Sequence, residues 1–307
     1  MHYYFAPLEG LTDGIYRHLH HSFYPGVDRY YTPFLSPTVH RRLTPKEQRE
    51  LPLADSLEFH VIPQLLTKNA DNFLWMAKQC ADRGYNEVNL NLGCPSGTVT
   101  AKGKGAGMLR DADALDRFLD AIFHASPIDI SVKTRIGFMS ANEFPALLDI
   151  YNRYPIKELT VHPRVRNAFY DGDVDRSAFA YAFENSRAPL CYNGDILRLE
   201  QVNDLPAVDA VMIGRGLIAD PGMLSGKSGD RATLQAFFDA LLDAYSRTFG
   251  SSRNALFRLK EHWFYLIKRF DGAEKFGKQL RKTTDLNEYG TITRRIFAEC
   301  EFIKAAL

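Results

Sequence analysis

Cysteine is scarce in this chain: there are four in 307 residues, at Cys80, Cys94, Cys191 and Cys300, with no CxxC pair and no cysteine–histidine ligand spacing. That argues against a disulfide-stapled fold and against structural zinc. The nine histidines show no metal spacing either, so no metal is expected. No run approaches the roughly 18 consecutive apolar residues of a membrane helix, so no membrane partner is expected. The opening residues MHYYFAPLEG lack the basic and apolar regions of a secretory signal. A reducing, cytoplasmic setting is the expectation. Repeats of fixed period and low-complexity tracts are absent as well.

Net charge is also nearly absent, at +1, but the total conceals an asymmetry. Residues 1–230 carry 24 Lys and Arg against 28 Asp and Glu, whereas residues 231–307 carry 14 against 9. A basic segment behind an acidic body fits a polyanionic partner, although a solvated helix face gives the same excess. Hydrophobic residues are 45% and charged residues 24%, which excludes intrinsic disorder.

Eight short β-branched or aromatic runs punctuate the first 220 residues: Tyr3–Phe5, Arg29–Thr32, Phe59–Leu65, Glu87–Asn91, Ile128–Thr134, Leu159–His162, Leu190–Tyr192 and Ala210–Ile213. Several are continuously apolar, as strands buried on both faces are. Helical periodicity lies between them, over Asn69–Arg83, Ala112–His124 and Asn142–Tyr154. Eight strands alternating with helices predict a TIM (β/α)8 barrel, with a doubly wound sheet as the alternative. A Gly/Ser break at Gly226-Lys227-Ser228-Gly229 is followed only by helical spacing. The expected division is a barrel domain over 1–228 and a small all-α domain over 231–307, in a monomer.

In a barrel, chemistry sits where strands end. Polar groups stand at those ends: Glu9 after strand 1, Gln64 on strand 3, Asn91 and Cys94 after strand 4, Lys133 and Arg135 on strand 5, His162 on strand 6. Strand 7 runs into Asn193-Gly194-Asp195 and strand 8 into Gly214-Arg215-Gly216, the two loops that bind phosphate in many barrels. Glycine lets backbone N–H groups approach phosphate and Arg215 adds a charged fork, unless these glycines only make tight turns. Lys133 can face an anionic redox cofactor. Cys94, in a Gly-Cys-Pro turn, is open to reading as nucleophile, proton donor or inert thiol. The segment Gly103-Lys104-Gly105-Ala106-Gly107 has the wrong spacing for a dinucleotide fingerprint and reads instead as a glycine-hinged mobile loop.

Taken in order, these pieces resemble the bacterial tRNA-dihydrouridine synthase family. The matching stretches are Ala6-Pro7-Leu8-Glu9-Gly10-Leu11-Thr12-Asp13, Gln64, Asn91-Leu92-Gly93-Cys94-Pro95-Ser96, Gly105-Ala106, Val132-Lys133-Thr134-Arg135, Val161-His162, Asn193-Gly194-Asp195-Ile196 and Met212-Ile213-Gly214-Arg215-Gly216. The C-terminal Arg258-Leu259-Lys260-Glu261-His262-Trp263 is similar more loosely. The resemblance implies FMN-dependent, NADPH-driven reduction of a specific tRNA uridine to 5,6-dihydrouridine. It implies that Pro7, Leu8 and Glu9 line the flavin and that Gln64, Lys133 and His162 contact it. Asn193, Gly194, Asp195, Gly214 and Arg215 would hold its phosphate side, and Cys94 would be the acid. Asn91, Arg135, Arg164, Arg258 and Lys260 are the expected RNA contacts. The chain departs from the family pattern at Leu8, at Asn89 and at Pro163-Arg164-Val165. A barrel flavoprotein acting on a free pyrimidine, like a dihydroorotate dehydrogenase, and a non-catalytic RNA-binding protein are the competing readings.

Overall fold

The computed structural model describes residues 1–303. The strands are β1 (His2–Phe5), β2 (Arg29–Tyr31), β3 in two pieces (Val61–Ile62 and Gln64–Leu65), β4 (Glu87–Leu92), β5 (Asp129–Arg135), β6 (Leu159–His162), β7 (Leu190–Tyr192) and β8 (Ala210–Ile213). They form one parallel sheet whose two ends are the two pieces of β3. Val61 and Ile62 pair with β2, while Gln64 and Leu65 pair with β4. Only Pro63 separates them, and its carbonyl accepts from Asn89 N–H at 2.8 Å. Proline has no N–H to leave unpaired where the chain changes partner. The sheet therefore closes on itself as a barrel of eight strands, as the alternation of runs predicts.

The strands are buried on both faces, which explains their continuous apolarity. Outside them, the helix Ala112–Ala125 buries Leu115, Phe118, Leu119 and Ile122, the i, i+3, i+4, i+7 stripe of a surface helix. Asn69, Asp111 and Asp175 cap their helices by accepting a backbone N–H.

The chain resolves into two compact units. The first comprises Met1–Pro7, Asp28–Gly194 and Leu205–Met212, and holds the sheet as far as Met212. The second comprises Leu8–Val27, Asp195–Asp204 and Ile213–Leu307. Its helices Arg231–Phe249, Ser252–Leu266, Glu274–Lys282 and Leu286–Glu299 occupy the segment expected to be helical. The compact unit is larger than the expected 231–307, however, because the helix Gly14–Phe23 packs within it. Tyr16 of that helix stacks on His262 with ring centroids 4.6 Å apart and meets Phe237 edge-on at 5.5 Å. Periodicity shows that Gly14–Phe23 has a buried face, but not what covers it.

Candidate active site

In the first unit, a set of polar side chains lines the interior of the sheet. The register places Gln64 beside Asn89, Asn89 beside Ser131 and Lys133 beside Thr160. Asn91 Oδ1 accepts from the backbone N–H of Gly93 at 3.1 Å and of Cys94 at 2.9 Å, which folds the chain into the Gly-Cys-Pro turn. Asn91 Nδ2 donates to Gln64 Oε1 at 2.8 Å, and Gln64 Nε2 donates to Asn89 Oδ1 at 2.8 Å. Cys94 is half-buried, whereas Cys80, Cys191 and Cys300 are buried.

Lys133 Nζ donates to Asn193 Oδ1 at 2.5 Å, and Asn193 Nδ2 donates to the Met212 carbonyl at 2.8 Å. That anchors the ammonium at the ends of β5 and β7. Burial, helped by the charge of Arg135, lowers the Lys133 pKa to about 8, and Cys94 lies near enough to interact with it electrostatically. His162 lies 3.3 Å from an Arg164 guanidinium nitrogen, its ring stacked 6.1 Å from Tyr170.

The second unit holds Leu8, Glu9, Asp195, Gly214, Arg215, Arg258 and Lys260, while Pro7 lies in the first. Arg215 and Asp195 form an ion pair at 2.5 Å, with Asp195 in the left-handed region at φ 46. Leu8 N–H donates to Thr12 Oγ1 at 2.9 Å, and Leu8 and Glu9 lie in the turn before the helix Gly14–Phe23. Gly214 precedes the short helix Arg215–Ala219. Gly216 has no room for a side chain: a Cβ there would stand 2.2 Å from the Ile196 carbonyl oxygen. In the first unit, Gly194 is similarly confined: a Cβ there would stand 2.9 Å from a Val174 methyl. These glycines are required by close approach.

A family comparison decides what this arrangement belongs to. The family model for dihydrouridine synthase (Dus) matches residues 4–304. The chain belongs to the dihydrouridine synthase family. The chain is 28% identical to a tRNA-dihydrouridine(16) synthase of Shigella flexneri over 311 residues, covering 95% of this chain and 96% of that protein. It is 27% identical to a tRNA-dihydrouridine synthase B of Proteus vulgaris over 220 residues, 70% of this chain and 67% of that protein. Among solved structures, a morphinone reductase variant in complex with tetrahydroNAD shares the fold, with TM-score 0.51 and 11% identity over 76% of this chain and 89% of that one. As a member of the Dus family, the chain is an oxidoreductase with a TIM-barrel fold. Among the described residues, no helix is long and apolar enough to cross a membrane and no group of three or more His, Cys, Asp or Glu could hold a metal.

The residues expected to contact RNA have partners within the protein. Arg135 is buried, and its guanidinium donates to the carbonyls of Gly93, Val165 and Phe169 at 3.0, 2.9 and 2.6 Å. Burial lowers its pKa to about 10. It braces the loops after β4 and β6. Arg164 is likewise interior, donating to the Gly172 carbonyl, and Asn91 is occupied in the Cys94 turn. Arg258 is tied to Asp13 at 2.9 Å within the second unit. Lys260 donates to the Arg281 and Thr283 carbonyls. It also lines a groove of about 310 Å³ with Trp263, Phe264, Lys268, Lys278 and Arg281. In that groove Phe264 is exposed and Lys268 Nζ lies 5.5 Å from its ring centre.

Of the glycine-rich stretch expected to be a mobile loop, Gly103 lies in a turn and Gly105 to Gly107 open a 3-10 helix, Gly105–Arg110, with Gly105 to Leu109 buried. Ala106 N–H donates to the Cys94 carbonyl at 3.1 Å, and a Cβ on Gly105 would meet Cys94 Cβ at 3.0 Å. The stretch buttresses the Cys94 turn. Sequence reasoning missed this role, and also missed Asn89 and Ser131, where Asn89 Nδ2 donates to Ser131 Oγ at 3.0 Å. The alternation Glu87-x-Asn89-x-Asn91 on one face of β4 was the available signal.

Proposed function

We propose that this chain reduces a uridine of tRNA to 5,6-dihydrouridine, with bound FMN as cofactor and NADPH as electron donor, and that Cys94 is the general acid. It would act as a monomer in the cytoplasm. The observation that supports this reading most strongly is the placing, in one unit, of a half-buried thiol held in a fixed turn and an anchored ammonium within electrostatic reach of it.

The donor set suits a flavin. Gln64, Lys133 and His162 supply amide, ammonium and imidazole groups, the partners that a ring edge of carbonyls and nitrogens needs. The phosphate side is assigned to Asn193, Gly194, Asp195, Gly214 and Arg215, with Pro7, Leu8 and Glu9 lining the ring. When bound, FMN reduced by NADPH supplies the hydride that adds to C6 of the uracil ring.

The protein's own part is positional and acidic. Cys94 S–H gives its proton to C5, so hydride and proton together saturate the C5–C6 bond. Its thiolate then takes a proton from water. Lys133 holds negative charge next to the reacting ring without moving, because Asn193 fixes it. A uracil within folded RNA must be extruded to reach such a group. The cationic groove with its exposed Phe264 supports contact with the RNA backbone and a splayed base. Neither a free pyrimidine substrate nor a purely RNA-binding role draws support from the relatives, whose names are those of tRNA enzymes.

Two measurements test the reading. The purified protein should show a flavin spectrum that NADPH bleaches. Mass-spectrometric mapping of tRNA from a deletion strain should lose dihydrouridine at a defined position, restored by this gene and not by its Cys94→Ala form. Unchanged dihydrouridine at every position would refute the function.

A further inference from the structure

Beside the Cys94 turn, arginines and phenylalanines from several loops of the first unit come together. Arg135 donates to the Gly93 carbonyl at 3.0 Å and to the Phe169 carbonyl at 2.6 Å, so one guanidinium joins the residue before Cys94 to Phe169. Arg166 makes a second link. Its Nη2 donates at 3.0 Å to Thr100 Oγ1, in the helix Gly97–Thr100 that follows the turn, and its Cζ lies 4.8 Å from the centre of the Phe169 ring. The same Cζ is 5.3 Å from the centre of the Phe138 ring, which Arg110 approaches to 4.0 Å.

Phe169 is held against its own preference. Its backbone sits at φ 48 and ψ −101, a conformation that glycine adopts freely and a bulky residue rarely. Two hydrogen bonds keep it there: its N–H donates to the Arg166 carbonyl at 3.1 Å, and its carbonyl accepts from Arg135. The ring itself is 40% exposed, so it adds little burial in return for the strain.

The positive charge nearby is unmatched. Arg110 is exposed, and among the described residues its guanidinium has no hydrogen bond or ion pair, only the Phe138 ring. Arg166 donates to Thr100 and to Asn167 Oδ1, both neutral. Glu143 lines a groove with Arg110, but its carboxylate accepts from the backbone N–H groups of Phe138, Met139 and Ser140 at 2.6, 3.0 and 2.9 Å. These cations lie within residues 1–230, which carry more Asp and Glu than Lys and Arg. Unpaired guanidiniums bind phosphate, and an exposed ring offers a face to a nucleobase.

We propose that Arg110, Arg166 and Phe169 form an RNA site in the first unit: the guanidiniums bind a backbone phosphate beside the target uridine, and the Phe169 ring stacks on the neighbouring base. This inference rests on the reading of the chain as an enzyme that reduces a tRNA uridine. Extruding a base deprives its neighbour of a stacking partner, and a ring fixed beside the Cys94 turn replaces it. Because Arg135 and Arg166 tie that ring to the residues flanking Cys94, the RNA strand and the thiol share one frame.

The test measures binding of tRNA from the deletion strain to the full-length holoenzyme. Arg110→Ala removes a guanidinium that bonds to nothing in the fold, so the slope of log affinity against log salt should fall by about one. Phe169→Leu should bind roughly 5–30-fold more weakly, the worth of one stacked base. Phe169→Trp should bind within about threefold of wild type, and tRNA should quench its added indole emission. Phe169→Gly relieves the backbone while removing the ring: it should melt no lower than wild type, yet bind as weakly as Phe169→Leu. An unchanged salt slope in Arg110→Ala, wild-type affinity in Phe169→Leu, unquenched emission in Phe169→Trp, or a lowered melting temperature in Phe169→Gly would overturn the site. If all four effects appear in a protein that reduces no tRNA uridine, the site stands and the functional reading fails.

Discussion

The two compact units differ in what surrounds their buried titratable groups. The first encloses carboxylates, amides and an ammonium inside its sheet; desolvation raises the pKa of both Glu87 and Glu158 above the usual carboxylate value. The second encloses imidazoles among aromatic rings. Burial lowers His20 to about 3 and His262 to about 4. It also buries an ion pair, Arg269 with Asp220 at 2.9 Å, both side chains at most 4% exposed. A polar interior that must stay satisfied is suited to holding reacting groups. An aromatic interior, with His262 between the carbonyls of Leu11 and Arg258, is suited to fixing a helical platform.

The largest expected effect separates chemistry from packing in the first unit. Cys94→Ala should lower the single-turnover rate of uridine reduction by roughly 10²–10⁴-fold, the usual worth of a positioned acid. Flavin content and NADPH-driven flavin reduction should persist. A variant that loses stability and keeps its turnover per folded molecule would make the thiol a packing residue.

The next effect belongs to the second unit. Arg269→Met leaves Asp220 buried without its countercharge, a loss of about 3–5 kcal/mol. Hydrogen exchange should accelerate in Gly14–Phe23 and in the helices after residue 231, with the sheet of the first unit protected. Equal loosening of both units would erase the distinction drawn between them.

Acid should also divide the molecule. A histidine whose folded pKa lies below its unfolded value of 6.5 costs stability as pH falls below 6.5, until the folded pKa near 3 or 4 is reached. Within that window each histidine costs about 1.4 kcal/mol for every step of one in pH. Carboxylates with raised pKa act oppositely: the folded state binds the proton more tightly, so lowering pH toward 4.5 favours the fold around Glu87 and Glu158. Exchange measured between pH 7 and 4 should therefore rise first in the second unit. Earlier opening of the sheet would contradict the assignment.

The smallest effect concerns Lys133. Its folded pKa of about 8 lies below 10.5, so protein stability from this group rises with pH across that window. Retention of anionic flavin should run the other way, weakening roughly tenfold for each step of one in pH above about 8 as the ammonium is lost. Lys133→Met should bind flavin more weakly with a flat profile. Identical pH profiles in the two proteins would remove Lys133 from the anion site.

How far the sequence was readable follows the same divide. All eight strand runs and the polar residues at their ends were legible, because a parallel strand leaves a continuous apolar run and catalytic groups collect where it stops. What a long-range partner decides was not. The association of Gly14–Phe23 with helices more than 200 residues away leaves no local trace. Arg135 looks like a surface cation until three carbonyls are seen around it. The Gly103–Gly107 stretch looks mobile because glycine permits mobility, whereas here it permits contact: a Cβ on Gly107 would meet the Thr100 carbonyl oxygen at 2.8 Å.

The seam at Pro63 bears on how the chain survives its own folding. Until Val61–Ile62 has joined β2 and Gln64–Leu65 has joined β4, the sheet has two open parallel edges, each able to template another chain. Closure at one strand removes both at once. Parallel ladders form slowly because their partners are distant in sequence, so the interval before closure is when aggregation competes. In this protein the strand that seals the sheet, two residues on either side of a proline, also carries Gln64, so one short segment both removes the open edges and supplies a side chain to the candidate site.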